Sequence, residues 1–332
     1  MKFIYESDVG PSPLEGKCVA VVGFGNQGRA QAENLRDSGV SVIVALRPGS
    51  ASRREALQAG FAVHPIDEAA RIADITALLM PDEAQGDLYR QSVAPAMGRG
   101  KTLLFAHGFS VHFDQITPPH DVDVVMTAPK GPGYQVRREY VEGRGVVMLT
   151  AVHQDASGRA RKTVLEYASA IGGGRAGIFE STFREECETD LFGEQAVICG
   201  GLSHLVTAGF ETLVEAGYSP EMAYFECLHE VKLVADLIHQ RGIAGMREAI
   251  SNTARFGDLT RGPRIIGPAV KDEMRKVLRE VQSGLFARQW MEEDRSGRPL
   301  FERLSQEGAA HPVEEVGSRM REAIPSLRRG ES

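Results

Sequence analysis

The sequence predicts an α/β domain with a mostly parallel sheet, followed by an all-α domain. In the first half, apolar runs of strand length alternate with segments of helical periodicity, which is typical of a parallel sheet covered on both faces. Beyond residue 182 the strand pattern stops and only helical patterns remain. A Gly-rich stretch at 171–182 separates the two patterns, so we expect one domain at residues 1–182 and another at 183–328.

The individual elements follow in order along the chain. Strands are expected at 17–24, 41–46, 74–80, 102–106, 122–128 and 145–152. Helices are expected between them at 26–38, 83–97 and 155–171, and in the second half at 184–216, 220–240, 268–290 and 313–324. Pro325 is expected to end the last helix, because proline cannot continue the helical hydrogen bonding, and the tail 326–332 is expected to be frayed.

Composition narrows the class of protein. The chain has 332 residues, 42% hydrophobic and 25% charged, which suits a globular protein of two domains. The net charge is -7 and no long basic run is present, so we expect no nucleic-acid partner. Apolar runs of strand length predict no membrane span, and MKFIYESDVG has no apolar core of a signal peptide. Four scattered cysteines without a CxxC pair predict reduced thiols in a cytoplasmic protein.

A glycine motif stands between the first strand and the first long helix, where a dinucleotide-binding loop requires it. The motif consists of Gly23, Phe24, Gly25, Asn26, Gln27 and Gly28. Gly23 permits a tight turn, Gly25 lets the backbone approach a pyrophosphate, and Gly28 lets helix and strand lie close together. The GxGxxG pattern alone is weak evidence for nucleotide binding, and a glycine-rich turn without a ligand is the alternative. Its place within a βαβ pattern favours a Rossmann-type domain.

The loop after the second strand indicates which dinucleotide binds. NAD-binding proteins usually carry Asp or Glu there, to accept from the ribose 2′-hydroxyl, and this chain has neither. It has Arg47, Ser50 and Ser52, which together suit a phosphate dianion. We therefore predict a 2′-phosphate pocket and NADP(H) as the cofactor. A solvated loop with a helix-capping serine is the alternative interpretation.

Two pairs of carboxylates lie in the helical half. Asp190 and Glu194 are four residues apart, as are Glu226 and Glu230, so each pair falls on one face of its helix. Each pair continues into an apolar stripe that should face a core, where unpaired carboxylates are costly. Oxygen-only ligands favour Mg²⁺ or Mn²⁺, and four carboxylates favour two ions. Solvated faces, or ion pairs with nearby Lys and Arg, are the alternatives.

Other polar residues follow presumed parallel strands, whose carboxyl ends line the ligand crevice of open α/β sheets. His107 and Lys130 are two of them, and each alone is more often a surface residue. The segment after the 74–80 strand is a candidate to line the nicotinamide ribose; it comprises Asp82, Glu83, Ala84 and Gln85. Gly133, in the loop after Lys130, joins the expected cofactor contacts. Ser251 is expected either to cap a helix or to bind a substrate carboxylate.

Several longer segments carry a family resemblance that spans most of the chain. They are GFGNQG, LRPGSAS, PDEAQ, LLFAHGFSVHF, DVDVVMTAPKGPG, IGGGRAG, ETDLFGEQAVICGG and AISNTARFGD. Together they resemble the short-form, class I ketol-acid reductoisomerase family. The resemblance implies conversion of 2-acetolactate or 2-aceto-2-hydroxybutyrate by alkyl migration, and then reduction by NADPH to a 2,3-dihydroxy acid. Such an enzyme serves valine and isoleucine biosynthesis.

The resemblance also implies roles for particular residues. Asp190 and Glu194 would bind two Mg²⁺ ions from one side, and Glu226 and Glu230 from the other. Glu230 would also act in acid–base chemistry near the migrating carbon.

The remaining roles concern substrate and protons. Ser251 would hold the substrate carboxylate, His107 matches the family's proton donor, and Lys130 would support the metal-site hydrogen bonds. The helical domain would be knotted. A homodimer or larger homo-oligomer would share each active site between subunits.

Some positions depart from the family pattern. The family usually has Pro in place of Val147 and an acidic residue in place of Arg255. In the glycine loop it more often has Tyr and Ser in place of Phe24 and Asn26. Because Arg255 is close to Ser251, a paralogue acting on a different 2-hydroxy-3-keto acid is one alternative. A metal-free NADP-dependent hydroxyacid or imine reductase is a second, and an inactive NADP-binding sensor is a third.

Overall fold

An eight-stranded sheet forms the centre of the first part of the chain. In the computed structural model, which describes residues 2–10 and 14–324, its strands are β1 (Cys18–Val22), β2 (Ser41–Ala45), β3 (Val63–His64), β4 (Ile75–Leu78), β5 (Thr102–Phe105), β6 (Asp123–Pro129), β7 (Met148–Gln154) and β8 (Ile178–Ser181). Their order is β3-β2-β1-β4-β5-β6-β7-β8. The first six strands have the 3-2-1-4-5-6 order of dinucleotide-binding domains, which confirms the predicted Rossmann-type fold.

Helices cover both faces of this sheet. They are α1 (Glu6–Val9), α2 (Asn26–Asp37), α3 (Arg53–Gln58), α4 (Ile66–Ile72), α5 (Asp82–Leu88), α6 (Phe109–His112), α7 (Gly133–Val141), α8 (Ala160–Ala170) and α9 (Gly173–Ala176). One buried apolar cluster contains Leu35 and Tyr167, and another contains Tyr89 and Phe105. Because side chains of a strand alternate between faces, the two clusters are the two covered sides of one sheet.

Two predicted boundaries near β7 were wrong. The strand begins at Met148 instead of residue 145, and it runs antiparallel to β6. The following helix begins at Ala160 instead of residue 155, because the intervening residues form a hydrogen-bonded loop. In that loop the Asp155 carboxylate accepts from the Ala160 amide, and the Ser157 hydroxyl donates to Asp123.

The chain divides into two compact units, Met1–Thr189 and Asp190–Ser332. The second is all-helical, as predicted. The helices from the end of the sheet onward are α10 (Phe183–Gly193), α11 (Gly200–Glu215), α12 (Pro220–Tyr224), α13 (Glu230–Ala249), α14 (Asn252–Ile265), α15 (Pro268–Gln282), α16 (Leu285–Arg295), α17 (Pro299–Ala309) and α18 (Pro312–Ala323). The predictions for Pro325 and the tail lie outside the described residues.

Four predicted helices are interrupted. The predicted helix 83–97 consists of α5, a π-helical segment, Tyr89–Val93, and a 3-10 segment, Ala94–Ala96. A π-helical segment, Glu194–Ile198, separates α10 from α11, and another, Phe225–His229, separates α12 from α13. The predicted helix 268–290 breaks where Gly284, with a φ of +69°, starts α16. A π turn inserts one residue into the helical repeat and often marks a functional site. The π segments Glu194–Ile198 and Phe225–His229 each carry an acidic residue of the predicted metal site.

An apolar cluster lies in the second unit. It contains Phe210, Ala223, Tyr224, Val313 and Val316, contributed by α11, α12 and α18. The apolar stripes beside the carboxylate pairs were expected to face a core, and in the single chain that expectation is wrong. Their residues Val197, Ile198, Leu205 and Leu233 are between 49% and 63% exposed.

The helical run Phe183–Glu215 is apolar as well as exposed. Among the described residues it alone has the length and composition of a membrane span, with a mean hydropathy of 1.4 in its most apolar window. Length and composition alone are weak indications of a span, because other apolar surfaces pass the same test.

Candidate active site

The glycine loop between β1 and α2 has the geometry of a phosphate-binding turn. Gly23 has a φ of +99°, a conformation that side chains disfavour, and precedes the N-terminus of α2. A Cβ added to Gly28 would lie 2.3 Å from the carbonyl oxygen of Gly23, so only glycine allows this approach of helix to strand. Gly25 and Asn26 are exposed at the helix N-terminus, where backbone N–H groups attract an anion.

The other loop residues connect it to the rest of the unit. Phe24 is buried and its ring meets that of Phe61 edge-on, so its side chain belongs to the core. The Gln27 amide donates to the Gly131 carbonyl over 3.0 Å. A Cβ on Gly133 would lie 2.0 Å from the carbonyl oxygen of Asn26. The segment after β6 is therefore held directly against the nucleotide loop.

The loop after β2 leaves its polar side chains available. Arg47 is exposed, and Ser50 and Ser52 are partly exposed. Ser52 is the N-cap residue of α3, but its hydroxyl accepts no capping hydrogen bond. The alternative interpretation of Ser52 as a capping serine is therefore not supported.

A buried glutamate links the ends of β5 and β6, and the sequence analysis missed it. Glu186 on α10 is 1% exposed. One carboxylate oxygen lies 3.0 Å from the Lys130 ammonium, and the other accepts from the Gly108 amide over 2.9 Å. The second oxygen is also 3.9 Å from His107 Nε2. His107 and Lys130 thus meet at one edge of the sheet, as the parallel-strand rule predicted.

A signal for Glu186 was present in the sequence. It precedes Asp190 by four residues, so the acidic i, i+4 pattern of α10 begins one turn earlier than the predicted pair.

His107 is held from two sides. Its Nδ1 lies 3.0 Å from the carboxylate of Asp82, and its side chain also hydrogen-bonds to the buried thiol of Cys187. Burial by itself would lower the pKa of His107. The hydrogen bonds to Asp82 and Cys187, with the charges of Asp82 and Glu186, outweigh burial and raise that pKa well above 6.5. Burial raises the pKa of the Cys187 thiol, so this sulfur stays protonated at neutral pH.

Replacing His107 with Asn should remove a stabilising contribution that depends on pH. Because the pKa of His107 is raised in the folded state, the folded protein binds the proton more tightly than the unfolded chain does. The contribution is complete below the unfolded pKa of about 6.5 and is lost as pH rises through the higher folded pKa. Urea unfolding should show a larger stability deficit for His107→Asn at about pH 6 than at about pH 9. Equal deficits would contradict the raised pKa.

The predicted ribose-binding residues, Asp82 to Gln85, form the first turn of α5. Asp82 directs one oxygen to His107, and Gln85 is 4% exposed with its side chain turned inward. Glu83 and Ala84 are partly exposed. Their contact with a nicotinamide ribose stays a prediction.

The carboxylates of the second unit do not converge in one chain. Asp190 is on α10 and Glu194 begins the π segment 194–198. Glu226 lies within the π segment 225–229, and Glu230 begins α13. Among the described residues, no group of three potential ligand atoms within 4.8 Å of one another contains two of these four carboxylates. The exposed carboxylates of Glu226 and Glu230 have no cationic partner in the described part of the chain.

Ser251 is the N-cap residue of α14. Its hydroxyl accepts from the Ala254 amide over 3.1 Å, so the capping alternative is realised. The residue is exposed, and its role towards a substrate carboxylate stays a prediction.

Solved structures similar to this chain fall into two groups. An NADH-preferring ketol-acid reductoisomerase from an uncultured archean is 46% identical, with 98% of this chain and 100% of that chain covered and a TM-score of 0.95. A semialdehyde dehydrogenase NAD-binding protein from Cupriavidus necator is 17% identical, with coverages of 80% and 99% and a TM-score of 0.63. A 3-hydroxyisobutyrate dehydrogenase from Mycobacterium tuberculosis is 13% identical, with coverages of 92% and 99% and a TM-score of 0.51. The last two share the fold alone.

Two family models match consecutive parts of the chain. Residues 13–177 match the acetohydroxy acid isomeroreductase NADPH-binding domain, and residues 183–326 match the ketol-acid reductoisomerase C-terminal domain. With a relative at 46% identity over nearly the whole chain, these matches confirm the resemblance seen in the motifs. The chain therefore belongs to the ketol-acid reductoisomerase family: it is an oxidoreductase of branched-chain amino acid biosynthesis that uses a nicotinamide cofactor.

Proposed function

We propose that this reductoisomerase converts 2-acetolactate and 2-aceto-2-hydroxybutyrate to 2,3-dihydroxy acids, with NADPH as reductant and two Mg²⁺ ions as metal cofactors. The observation that carries the proposal is the position of the Lys130–Glu186–His107 group. The group lies at the carboxyl ends of β5 and β6, and Lys130 belongs to the same segment as Gly133, which touches the nucleotide loop. A substrate bound there would meet the nicotinamide end of the cofactor.

The donor atoms on the chain fit a hard divalent cation. Asp190, Glu194, Glu226 and Glu230 offer only oxygen ligands, which Mg²⁺ prefers over nitrogen or sulfur. The free, exposed carboxylates of Glu226 and Glu230 support this role, since no Lys or Arg of the described chain neutralises them. When bound, Mg²⁺ supplies Lewis-acid polarisation of the substrate oxygens during alkyl migration.

The chain's own residues would hold protons and orient the substrate. Lys130, anchored by Glu186, presents a positive charge to the substrate oxygens. The Nδ1 of His107 is held by Asp82, and the raised pKa of the ring favours its protonated form. His107 would act as the proton donor to a substrate oxygen, as the family resemblance implies. Ser251 would receive the substrate carboxylate, and Glu230 would exchange a proton near the migrating carbon.

We also propose that a second copy of the chain completes each site, in a cytoplasmic homodimer or larger homo-oligomer. Two findings support this arrangement. The four carboxylates do not meet within one chain, and the apolar residues beside them are exposed. A second helical unit would cover those residues and bring Glu226 and Glu230 to the Asp190 and Glu194 of its neighbour.

The proposal is tested by following NADPH oxidation with each acetohydroxy acid, with Mg²⁺ and after EDTA treatment. We expect turnover of both substrates that EDTA abolishes and Mg²⁺ restores. Turnover of a simple 2-keto acid that survives EDTA, without turnover of either acetohydroxy acid, would instead identify a metal-free hydroxyacid reductase. Tight NADPH binding without any turnover would identify a nucleotide sensor.

The double variant Arg47→Asp with Ser52→Asp should shift the cofactor preference towards NADH. The change replaces phosphate donors with carboxylates, which repel a 2′-phosphate and accept from a 2′-hydroxyl. Charge-assisted hydrogen bonds are worth about 1.5–3 kcal/mol each, so the NADPH-to-NADH ratio of kcat/KM should fall by roughly a hundredfold or more. Arg54→Asp, which changes charge on the neighbouring helix α3, is the control. An unchanged ratio in the double variant would rule out this phosphate pocket.

A further inference from the structure

A chain of hydrogen bonds connects Ser110, in α6, to His107. The Ser110 hydroxyl donates to the Gln85 carbonyl oxygen over 2.8 Å. The Gln85 amide nitrogen donates to one oxygen of Asp82 over 3.1 Å and to the Met80 carbonyl over 2.9 Å. The other oxygen of Asp82 lies 3.0 Å from His107 Nδ1.

The direction of each bond in this chain is fixed by chemistry. The Met80 carbonyl can only accept, so the NH₂ group of Gln85 must face Met80 and Asp82. The Gln85 oxygen is then left for Ser110, whose hydroxyl must donate. One oxygen of Asp82 is already occupied by Gln85, which turns the other towards the His107 Nδ1 proton. The order of donors and acceptors therefore fixes the orientation of the Asp82 carboxylate that meets Nδ1 of His107.

We propose that Gln85 and Ser110 are positioning residues for His107, which act through Asp82 to hold the imidazole in a single orientation with Nδ1 towards Asp82. This inference rests on the proposed function only in placing His107 at the reacting centre. It assigns the Gln85 side chain to His107 instead of to the cofactor.

The burial of the two residues supports this assignment. Gln85 is 4% exposed and Ser110 is fully buried, whereas the Asp82 side chain is 28% exposed. An isolated Asp82 at the first turn of a short helix would have alternative rotamers. A buried amide is costly unless every polar atom is satisfied, and here the satisfied amide orients the more exposed carboxylate. Groups that orient a functional histidine in this way are typically worth about 10–100-fold in function.

The Gln85→Met variant is the main test, because methionine keeps the length and bulk of the side chain and removes its three hydrogen bonds. We expect kcat with acetolactate, NADPH and Mg²⁺ to fall about tenfold, with a smaller fall for Ser110→Ala. The KM for acetolactate and the NADPH dissociation constant should change less than about twofold. Gln85→Glu, which still accepts from Ser110 but cannot donate to Asp82, should behave like Gln85→Met.

Gln154→Met is the matched control. The Gln154 amide also donates to two backbone carbonyls, those of Pro119 and Val122. It lies beside the first residues of β6, at the end of the strands opposite to His107. It should lower stability without lowering kcat tenfold. Equal losses of kcat in Gln85→Met and Gln154→Met, or a loss of NADPH affinity that matches the loss of kcat, would overturn the proposal.

A spectroscopic measurement keeps the proposal separate from the proposed function. In protein labelled with ¹⁵N-histidine, the Nδ1–H signal of His107, assigned by its absence from His107→Asn, reports the bond to Asp82. We expect this signal in the unsubstituted protein and in Gln154→Met, and its shift or loss by exchange broadening in Gln85→Met. An unchanged signal in Gln85→Met, or no signal in the unsubstituted protein, would overturn the proposal whether or not acetolactate is turned over.

Discussion

Replacing Glu230 with Gln is expected to abolish isomeroreductase activity while leaving nicotinamide binding intact. The substitution keeps the shape of the side chain but removes the negative charge that would bind metal and exchange a proton. If the lost interaction is worth about four kcal/mol in the transition state, kcat/KM falls roughly a thousandfold. The measurement is NADPH oxidation with acetolactate and Mg²⁺, beside NADPH binding by fluorescence.

The control for Glu230→Gln is Glu215→Gln, which removes one exposed carboxylate at the end of α11. It should leave both activity and binding unchanged. Activity of Glu230→Gln within about threefold of the unsubstituted protein would contradict the assigned role.

The same variant also tests whether each site is shared. A mixture of Glu230→Gln and Asp190→Asn chains forms dimers in which one site carries both changes and the other carries neither. If Glu230 belongs to the partner's site, two inactive proteins should regain about a quarter of the full activity after random subunit exchange. No recovery, with exchange verified by mass spectrometry, would place all four carboxylates in the site of one chain.

Replacing Glu186 with Gln should weaken both the fold and the reaction. Lys130 would lose the negative charge of Glu186, and a buried pair that loses one charge is destabilised. Since Lys130 is one-third exposed and Gln still accepts from Gly108, we expect a loss of about 2 kcal/mol in the free energy of unfolding. We expect kcat to fall at least about a hundredfold, because the displaced ammonium no longer meets the substrate oxygens.

Glu185→Gln is the matched control for this prediction. Glu185 is the preceding residue of α10 and is exposed, with its carboxylate bonded to the Ser181 hydroxyl. Urea unfolding and acetolactate turnover should both be close to those of the unsubstituted protein. If both substitutions had the same small effect, the buried position of Glu186 would have no functional consequence.

Much of the first unit could be predicted because its signals are local. The glycine loop, the strand runs and the helix after Gly25 depend on neighbouring residues, so backbone conformation follows from sequence. The meeting of His107 and Lys130 could be predicted for a different reason. Parallel strands end at one edge, so residues that follow β5 and β6 must be close.

The contacts of Glu186 and Asp82 could not be predicted in the same way. Glu186 is separated from Lys130 by 56 residues, and Asp82 from His107 by 25. The only sequence signal for Glu186 was its position on α10, one turn before Asp190. Asp82 and Gln85 carried a motif signal, but the direction of their side chains depends on Ser110 and Met80.

The π segments were also beyond the reach of periodicity. The pairs Asp190/Glu194 and Glu226/Glu230 have the four-residue spacing that predicted regular helices. The π turns at 194–198 and 225–229 each insert a residue, which breaks that helical periodicity. Such an insertion is stabilised by neighbouring helices, and no local residue pattern specifies it.

The sequence by itself determined a dinucleotide-binding unit followed by a helical one, the edge of the sheet where His107 and Lys130 meet, and the family. These depend on periodicity and on motifs whose residues are adjacent. Only the tertiary structure decided that Glu186 joins Lys130 and His107, that Gln85 turns inward to Asp82, and that the four carboxylates form no common cluster among the described residues. The physical reason is that buried charges and amides take their partners from distant segments, and which partners they find depends on how those segments come together.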